Sequence, residues 1–469
     1  MPSPKPPLAV DLDGTLIRGD LFGEAMLRLV FAKPWKLPLL LLWLLRGRAH
    51  AKATLAIEFP PNVAALPYDQ RLIEWLREEH ATGREIVLAT ASDQRAAQLV
   101  ADHVGVFDRV FASDGRTNLK SRKKGEALAA AYPGGFVYAG NEHADLKVWS
   151  QARGAVTCNC APGFARNAAA RFEIERDFPR EHNPLRALLT GIRPRHWAKN
   201  LLVFIPMLAG QGWFDAGAVR NAWLAFAALS LIASSVYLVN DAADIESDRR
   251  HPRKRTRPFA SGAASPIAGL TLAALLLTGG LALGALSGAG AWIVAYLIAA
   301  TLYTFVLKRI VILDVFILAA LYGLRVVIGG EATGYIASDW LIAFSGFFFL
   351  SLAMVKRAAE VDALQANLVG RGYRAGDGPV LKRFGAGVGV ISALVLALYL
   401  QDATNAARYE SPHFLWALPA IVLLWFAHVW LKVERREMHD DPLLFALRDP
   451  VSWGALVAVA IAFAAAVLL

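Results

Sequence analysis

Residues 221–248 read NAWLAFAALSLIASSVYLVNDAADIESD, and the two parts of this stretch obey different rules. From Asn221 to Val239 the run is apolar. That is nearly the ~20 residues a helix needs to cross the hydrocarbon core of a bilayer. It then turns into Asn240-Asp241-Ala-Ala-Asp244-Ile-Glu246-Ser-Asp248, and a basic run follows, Arg249-Arg-His-Pro-Arg253-Lys-Arg-Thr-Arg257-Pro258. Continued as helix, Asp241, Asp244 and Asp248 share one face, and Asn240 joins through its i, i+4 relation to Asp244. Three like charges so close repel one another unless cations bridge them. Carboxylate oxygens select hard ions, and Mg²⁺ binds through few carboxylates plus substrate phosphates. Acid followed by base, at the end of a membrane segment, reads as a magnesium–pyrophosphate cradle. A solvated loop without function is the plain alternative, and the spacing argues against it.

Outward from this stretch the same apolar grammar recurs. Nine segments lie at about 198–210, 221–239, 266–286, 290–306, 312–329, 340–355, 385–400, 413–430 and 451–469. The expectation is an all-α polytopic membrane domain over 193–469, with the first, fourth and sixth segments short enough to tilt or to span in part. Composition agrees: 56% of the 469 residues are apolar and 19% charged, yet the formal net charge is +10. Such a balance suits anionic lipid and anionic substrates. Nucleic acid is excluded as a partner, because the basic residues sit between apolar segments and not on one soluble face. The loops orient the chain. With the N-terminal half cytoplasmic, eighteen cations from Arg249 to Arg448 fall in cytoplasmic loops, and only Arg220 and Arg408 fall opposite. This predicts a multi-pass protein of the inner membrane, both acidic motifs cytoplasmic and the C-terminus on the other side.

Up to Phe178 short apolar runs (Leu8–Val10, Glu85–Ala89, Phe136–Ala139) alternate with helical stretches such as Gln70–His80 and Gln94–His103. That pattern predicts a parallel α/β domain over 1–178. A helical cap is expected at about 21–66. Its apolar run Leu37–Leu45 is too short to span a bilayer, and it reads either as a buried cap helix or as a hydrophobic cap resting on the membrane. Residues 179–192 read as a linker. Cys158 and Cys160 are the only cysteines, which excludes a disulfide framework and a zinc site and points to a reducing compartment. No cleavable leader is expected, since Met1–Pro7 lead straight into the first strand.

That strand ends in Asp11-Leu-Asp13-Gly14-Thr15. Two carboxylates at i and i+2, before a flexible glycine, can converge on one Mg²⁺ and one phosphate. The sequence here resembles the haloacid dehalogenase (HAD) superfamily, with its Rossmann-like fold. The resemblance implies that Asp11 attacks phosphorus and that Asp13 protonates the leaving oxygen and later activates water. Further motifs follow in order. In Val87-Leu-Ala-Thr90-Ala-Ser92, Thr90 would donate to phosphoryl oxygens. In Asn118-Leu-Lys120-Ser-Arg-Lys-Lys124, the phosphate-binding lysine would be Lys124, which begins a helical run, with Lys120 as the alternative. In Tyr138-Ala-Gly140-Asn141-Glu-His-Ala-Asp145, Asp145 would be the metal ligand, because Asn141 stands where that family commonly has Asp. His143 and the two cysteines read as structural.

The second half, with Asn240-Asp-x-x-Asp-x-x-x-Asp248, resembles the UbiA superfamily of intramembrane prenyltransferases, which implies nine transmembrane helices around a cavity open to lipid. Arg193-Pro-Arg195-His-Trp197-Ala-Lys199-Asn200, Arg257-Pro258 and Tyr303–Asp314 carry the rest of that likeness. One departure is informative. Aromatic prenyltransferases of this kind have a second acidic pair; here only Asp314 is acidic and Leu318 stands in its partner's place, behind Lys308 and Arg309. Arg325 follows ~16 Å further along the same helix, and an intramembrane arginine is a functional candidate, the alternative being a pair with a membrane acid. Glu360 reads as the local partner of Lys356. Fewer acids and more bases suit phosphate on both substrates, and the sequence looks most like the decaprenyl-phosphate phosphoribosyltransferase branch. That likeness implies transfer of phosphoribose from phosphoribosyl pyrophosphate to a polyprenyl phosphate, with Mg²⁺ on Asp241, Asp244 and Asp248. Lys199, Asn200, Asn240, Arg257, Lys308, Asp314, Arg325 and Lys356 would bind substrate. The HAD half would remove the product's 5-phosphate. The competitors are an aromatic prenyltransferase of the ubiquinone or menaquinone type using prenyl diphosphate, a lipid carrier or channel, and a membrane-tethered phosphatase. Membrane lipids are expected partners, and a homo-oligomer is compatible with the sequence.

Overall fold

The structure is a computed structural model that describes residues 5–364, 372–402, 407, 409–438 and 441–468. Arg371 and Arg408, counted in the charge asymmetry, lie outside the described residues. By its internal contacts the chain divides into two compact units. One comprises the residues up to Ile192 together with Tyr237–Leu272; the other comprises Arg193–Val236 and Ala273–Leu469.

In the first unit Leu8-Ala9-Val10 forms strand β1, all three side chains buried, as a strand covered on both faces requires. With β2 (Ile86–Asp93), β3 (Arg109–Ser113), β4 (Val137–Gly140), β5 (Gly154–Cys158) and β6 (Ile174–Phe178) it makes one sheet of order β3-β2-β1-β4-β5-β6. Every pairing is parallel. The strand order reverses at β1, so a crevice opens beyond its carboxyl end, where ligands of such sheets bind. Register then decides which residues meet there. Val10 aligns with Leu88 and with Ala139, and this brings the segments after β1, β2 and β4 together. Helices α1 (Leu21–Ala32), α2 (Leu37–Leu45) and α3 (Arg48–Glu58) form the cap, while α4 (Gln70–Ala81), α5 (Gln94–Val104) and α6 (Arg122–Ala131) follow. Asp20 starts α1 by accepting a hydrogen bond from Phe22 N. Leu8, Val10, Leu72, Leu76, Leu88 and Val100 share the core. Each buried aliphatic side chain stabilises the unit by roughly 1.5–3 kcal/mol.

Of the two readings open for α2, the buried cap helix falls: of its nine residues only Leu40 is buried. Within the linker, Pro184–Gly191 is a helix whose Asn183 side chain caps Leu185 N and Arg186 N.

Among the described residues seven helices are long and apolar enough to cross a membrane: Ala216–Ala243, Pro266–Leu286, Leu313–Thr333, Asp339–Asp362, Gly378–Gln401, Pro412–Glu434 and Pro450–Leu468. The chain is a multi-pass membrane protein with an N-terminal parallel α/β sheet. The other two predicted segments take different forms. Gly290–Phe305 is an apolar helix of 16 residues. The first is 3₁₀ over Pro194–Phe204, then a five-residue helix, Ile205–Ala209. Pro206 lacks the N–H that a continuous helix would use there. Leu313–Thr333 lies centrally in the second unit, its apolar window more than half buried. Gly329 on this helix lets the 3₁₀ segment approach: a Cβ there would lie 2.0 Å from the carbonyl oxygen of Val203. That close approach sets Asn200 beside Arg325.

Candidate functional site

In the first unit the aspartates stand at the switch point. Asp11 N donates to Ala139 O, which fixes the residue directly beyond β1. Gly14 has φ +79 and faces Asn141 so closely that a Cβ would sit 2.2 Å from its amide nitrogen, so only glycine fits. Lys124 Nζ donates to Asp11 Oδ1 at 2.7 Å and to Tyr138 Oη at 2.7 Å, and Tyr138 Oη donates to Asp145 Oδ1 at 2.9 Å. Lys120 is exposed and lies 3.4 Å from Glu142, so of the two lysines left open only Lys124 touches the aspartate pair. Asp145 is buried, and its Oδ2 accepts the backbone N–H of both Asn141 and Glu142, so it shapes the loop in which it sits. Thr90 Oγ1 accepts Ser92 N, while Ser92 Oγ donates to Asp13 Oδ2 at 2.6 Å.

Burial pushes the Asp11 carboxyl up to about 6 against the pull of Lys124, with Asp145 adding to the rise. Burial and the charge of Asp20 push Asp13 up to about 7, opposed by the hydrogen bonds from Ser92 and Leu21 N. One carboxylate therefore carries a lysine, and its neighbour is poised to hold a proton. That is the division of labour a nucleophile and an acid require. Sequence reasoning missed Ser92 as the contact to Asp13, and it missed Lys52, a cap residue whose Nζ donates to Ala91 O at 2.6 Å. Only the serine lay inside a motif.

The carboxylate motif of the membrane half also belongs to the first unit. The helix Ala216–Ala243 is interrupted for one residue at Asp244, and Ile245–Arg250 resumes. Asp241 and Asp248 are buried and share one donor: Arg257 Nη1 reaches Asp241 Oδ1 at 3.0 Å and Asp248 Oδ2 at 2.7 Å. Asp244 is only half-buried and stands at the start of the short helix without a side-chain capping bond; Asn240 is half-buried. Burial raises the Asp248 carboxyl, opposed by Arg257. Asp248 Oδ1 is buried without a hydrogen-bond partner, an orphaned oxygen of the kind a cation satisfies. Among the described residues, no three His, Cys, Asp or Glu side chains gather into a ready metal cluster. The loop is fastened to the cap: Arg249 forks onto Glu24 at 2.6 and 2.9 Å, and Asn62 donates to Glu246. No sequence signal links residues 225 positions apart.

In the second unit, four of the predicted substrate-binding residues come together. Lys199 Nζ and Lys356 Nζ both donate to Asp441 Oδ2, at 2.6 and 3.1 Å. Arg325 Nε donates to Asn200 Oδ1 at 2.9 Å and its Nη2 to Tyr296 Oη at 2.7 Å, while Nη1 bonds Leu321 O. Among the described residues its hydrogen-bond partners are neutral oxygens. The Tyr322 ring lies under both Lys199 and Arg325. Burial would raise the Asp441 carboxyl, but Lys356 and Lys199 overcome this and hold it well below the usual carboxylate range. Asp441 had been passed over, because its neighbourhood was read only for loop charge. Asp314 joins a different group: it is fully buried, with Arg357 Nη2 at 2.6 Å and Tyr373 Oη donating at 2.5 Å. Glu360 bonds Arg357. Lys308 lies half-buried on the turn Leu307–Arg309.

The family model described as the UbiA prenyltransferase family matches residues 201–456. An uncharacterized protein of Sinorhizobium fredii is 37% identical, the match covering 98% of this chain and 91% of its own. Nodulation protein NoeC of Azorhizobium caulinodans is 31% identical over 59% of this chain and 92% of its own. Decaprenyl-phosphate phosphoribosyltransferase of Mycobacterium tuberculosis is 36% identical over 38% of this chain and 61% of its own.

Proposed function

Because the chain belongs to the UbiA prenyltransferase family, we propose that its membrane half, 193–469, moves phosphoribose from phosphoribosyl pyrophosphate to a polyprenyl phosphate. The HAD-like half, 1–178, then removes the 5-phosphate of the product. The observation that carries the transferase reading is two ammonium groups, of buried Lys199 and half-buried Lys356, on the one carboxylate of Asp441, with buried Arg325 across the Tyr322 ring from Lys199. The surplus of positive charge suits a substrate that brings its own phosphate. The likeness to decaprenyl-phosphate phosphoribosyltransferase supplies the reaction class.

In that reaction an oxygen of the lipid phosphate attacks C1 of ribose as the bond from C1 to pyrophosphate breaks. Lys199 and Lys356 hold phosphate oxygens, and Tyr322 packs beneath Lys199 and the Arg325 guanidinium. Arg257, shared between Asp241 and Asp248, screens one carboxylate from the other. The unsatisfied Oδ1 of Asp248 is the feature that favours Mg²⁺ at this motif. Asp241, Asp244 and Asp248 would hold one ion. Asp11 and Asp13 would hold another, with Asp145 completing their acidic loop. When bound, Mg²⁺ supplies positive charge that neutralises phosphate oxygens.

In the soluble half Asp11 attacks phosphorus, and the bond from phosphorus to the ribose 5-oxygen breaks as Asp13 gives that oxygen its proton. Asp13 then takes a proton from water, whose oxygen attacks the aspartyl phosphate. Inorganic phosphate leaves and Asp11 is restored. Lys124 neutralises charge throughout, and Thr90 lies within the neighbouring strand β2. Gly290–Phe305 and the stretch from Pro194 to Ala209 would complete nine membrane crossings, with the acidic motifs cytoplasmic in the inner membrane.

The test is mass analysis of lipid products. An Asp11→Asn variant given polyprenyl phosphate and phosphoribosyl pyrophosphate should accumulate the 5-phosphorylated lipid, and Asp241→Ala should form no lipid product. Inert phosphoribosyl pyrophosphate, with prenyl diphosphate and an aromatic acceptor consumed instead, would overturn the reading in favour of aromatic prenyl transfer.

A further inference from the structure

Helix α2 reads LPLLLLWLL, nine residues without one polar side chain. One face is satisfied by the cap itself. Leu40 turns onto Ala25, Leu29 and Leu55, and Trp43 and Leu44, three and four residues on, pack partly against the same cluster. The remaining surface is bare. Leu41 is 65% exposed, Leu42 54% and Leu45 83%, and Trp35 just ahead of the helix is 72% exposed. A cap that met only water would carry polar side chains at these positions, and a contiguous apolar patch of this kind marks an interaction site.

The ends of the helix say what covers it. Lys33 and Lys36 flank its start and share Glu58, while Arg46 and Arg48 stand exposed at its end, where Gly47, φ +113, turns the chain into α3. Nine residues rise only ~14 Å, under half the ~30 Å hydrocarbon core, so the helix cannot span. An apolar face rimmed by cations, with a tryptophan at its edge, is the composition of a helix lying in the plane of the membrane interface. We infer that α2 is an interfacial membrane anchor. Its Leu41, Leu42 and Leu45 face enters the acyl boundary of a bilayer whose anionic headgroups meet Arg46 and Arg48. Charge complementarity selects lipid over a second copy of the same face, which would bring two cationic rims together. The chain also carries its own membrane-crossing helices, so lipid is always at hand. The inference is independent of the phosphatase and transferase readings.

The experiment uses the full chain with an environment-sensitive fluorophore at Leu41→Cys or Leu45→Cys; Cys158 and Cys160 are buried. The protein is reconstituted into vesicles of phosphatidylcholine and phosphatidylglycerol containing nitroxide-labelled lipid. Lipid nitroxides should quench the probe at both positions at least ~3-fold more strongly than at Lys123→Cys, an exposed site on α6. Adding Arg46→Glu and Arg48→Glu should weaken that quenching. Quenching no stronger than at Lys123→Cys would overturn the inference, as would energy transfer between α2 probes on two copies without lipid quenching.

Discussion

The carboxylate of Asp441 holds two ammonium groups at once, and its removal separates a packing role from an electrostatic one. In an Asp441→Asn variant the side-chain shape is kept and the charge is lost. Lys199 and Lys356 Nζ, at 2.6 and 3.1 Å from the same oxygen, must lie within about 6 Å of each other. At an effective dielectric constant near 20 that repulsion is about 3 kcal/mol. Breaking a buried ion pair from one side costs about 3–5 kcal/mol in all, since the partner charge stays buried and uncompensated. For a unit of this size each kcal/mol moves the melting point by about 2–4 °C, so the purified protein in detergent should melt about 6–20 °C lower. The informative arm is the addition of phosphate. If the two lysines are placed to receive a phosphate oxygen, inorganic phosphate should stabilise the variant more than the native protein, because it takes the vacated role of the carboxylate. Adding Lys356→Met to Asp441→Asn should recover much of the lost stability and abolish the extra response. Thermal unfolding followed by intrinsic tryptophan fluorescence reads all three. A melting point within about 2 °C of native, or a phosphate response equal in both proteins, would refute the reasoning.

Replacing Lys124 with Met should lower phosphomonoester hydrolysis by about 100-fold or more while Lys120→Met stays within a few-fold, since only Lys124 bonds Asp11; steady-state rates with p-nitrophenyl phosphate decide it. Cys158 and Cys160 should resist iodoacetamide at pH 8 and react only after denaturation, because burial pushes Cys160 up to about 12 and Cys158 above its ordinary value, so little thiolate forms; mass spectrometry counts the adducts. Burial raises the Asp69 carboxyl, but the bonds from Arg71 and the charge of Arg18 outweigh it and leave it below its ordinary value. Its folded form is thus favoured when ionised, so its stabilisation is complete above the unfolded pKa near 4 and fades as pH falls below it. Asp69→Asn should accordingly lower the melting point at pH 7 and have less effect at pH 3.5; an equal effect at both would count against the ion pairs.

Much of the site was legible because it is local. Asp11 and Asp13 flank one residue, and a strand followed by glycine puts them at a sheet edge whatever lies elsewhere in the chain. The choice between Lys120 and Lys124 was not local: both are near the motif, and only where the fold places α6 decides that the second one is buried on Asp11. Helical spacing predicted one face for Asp241, Asp244 and Asp248, and the structure joins Asp241 and Asp248 through Arg257. The break at Asp244 and the insertion of Arg257 between the two acids were not predicted, since a loop's return path leaves no periodic trace.

Periodicity and hydropathy depend on neighbours a few residues apart. The sequence alone therefore determined the alternation of strand and helix, seven of the nine predicted membrane segments and the acidic motifs. Tertiary structure alone decided which distant groups share a charge. Asp441 serves Lys199 from 242 residues away, and Glu24 serves Arg249 from 225. It also decided that the leucines of α2 face outward, because the cap core has room for only one side of that helix. A buried charge must find whatever counter-charge the fold brings within hydrogen-bonding reach, and that is set by how whole elements pack, not by what stands beside it in the chain.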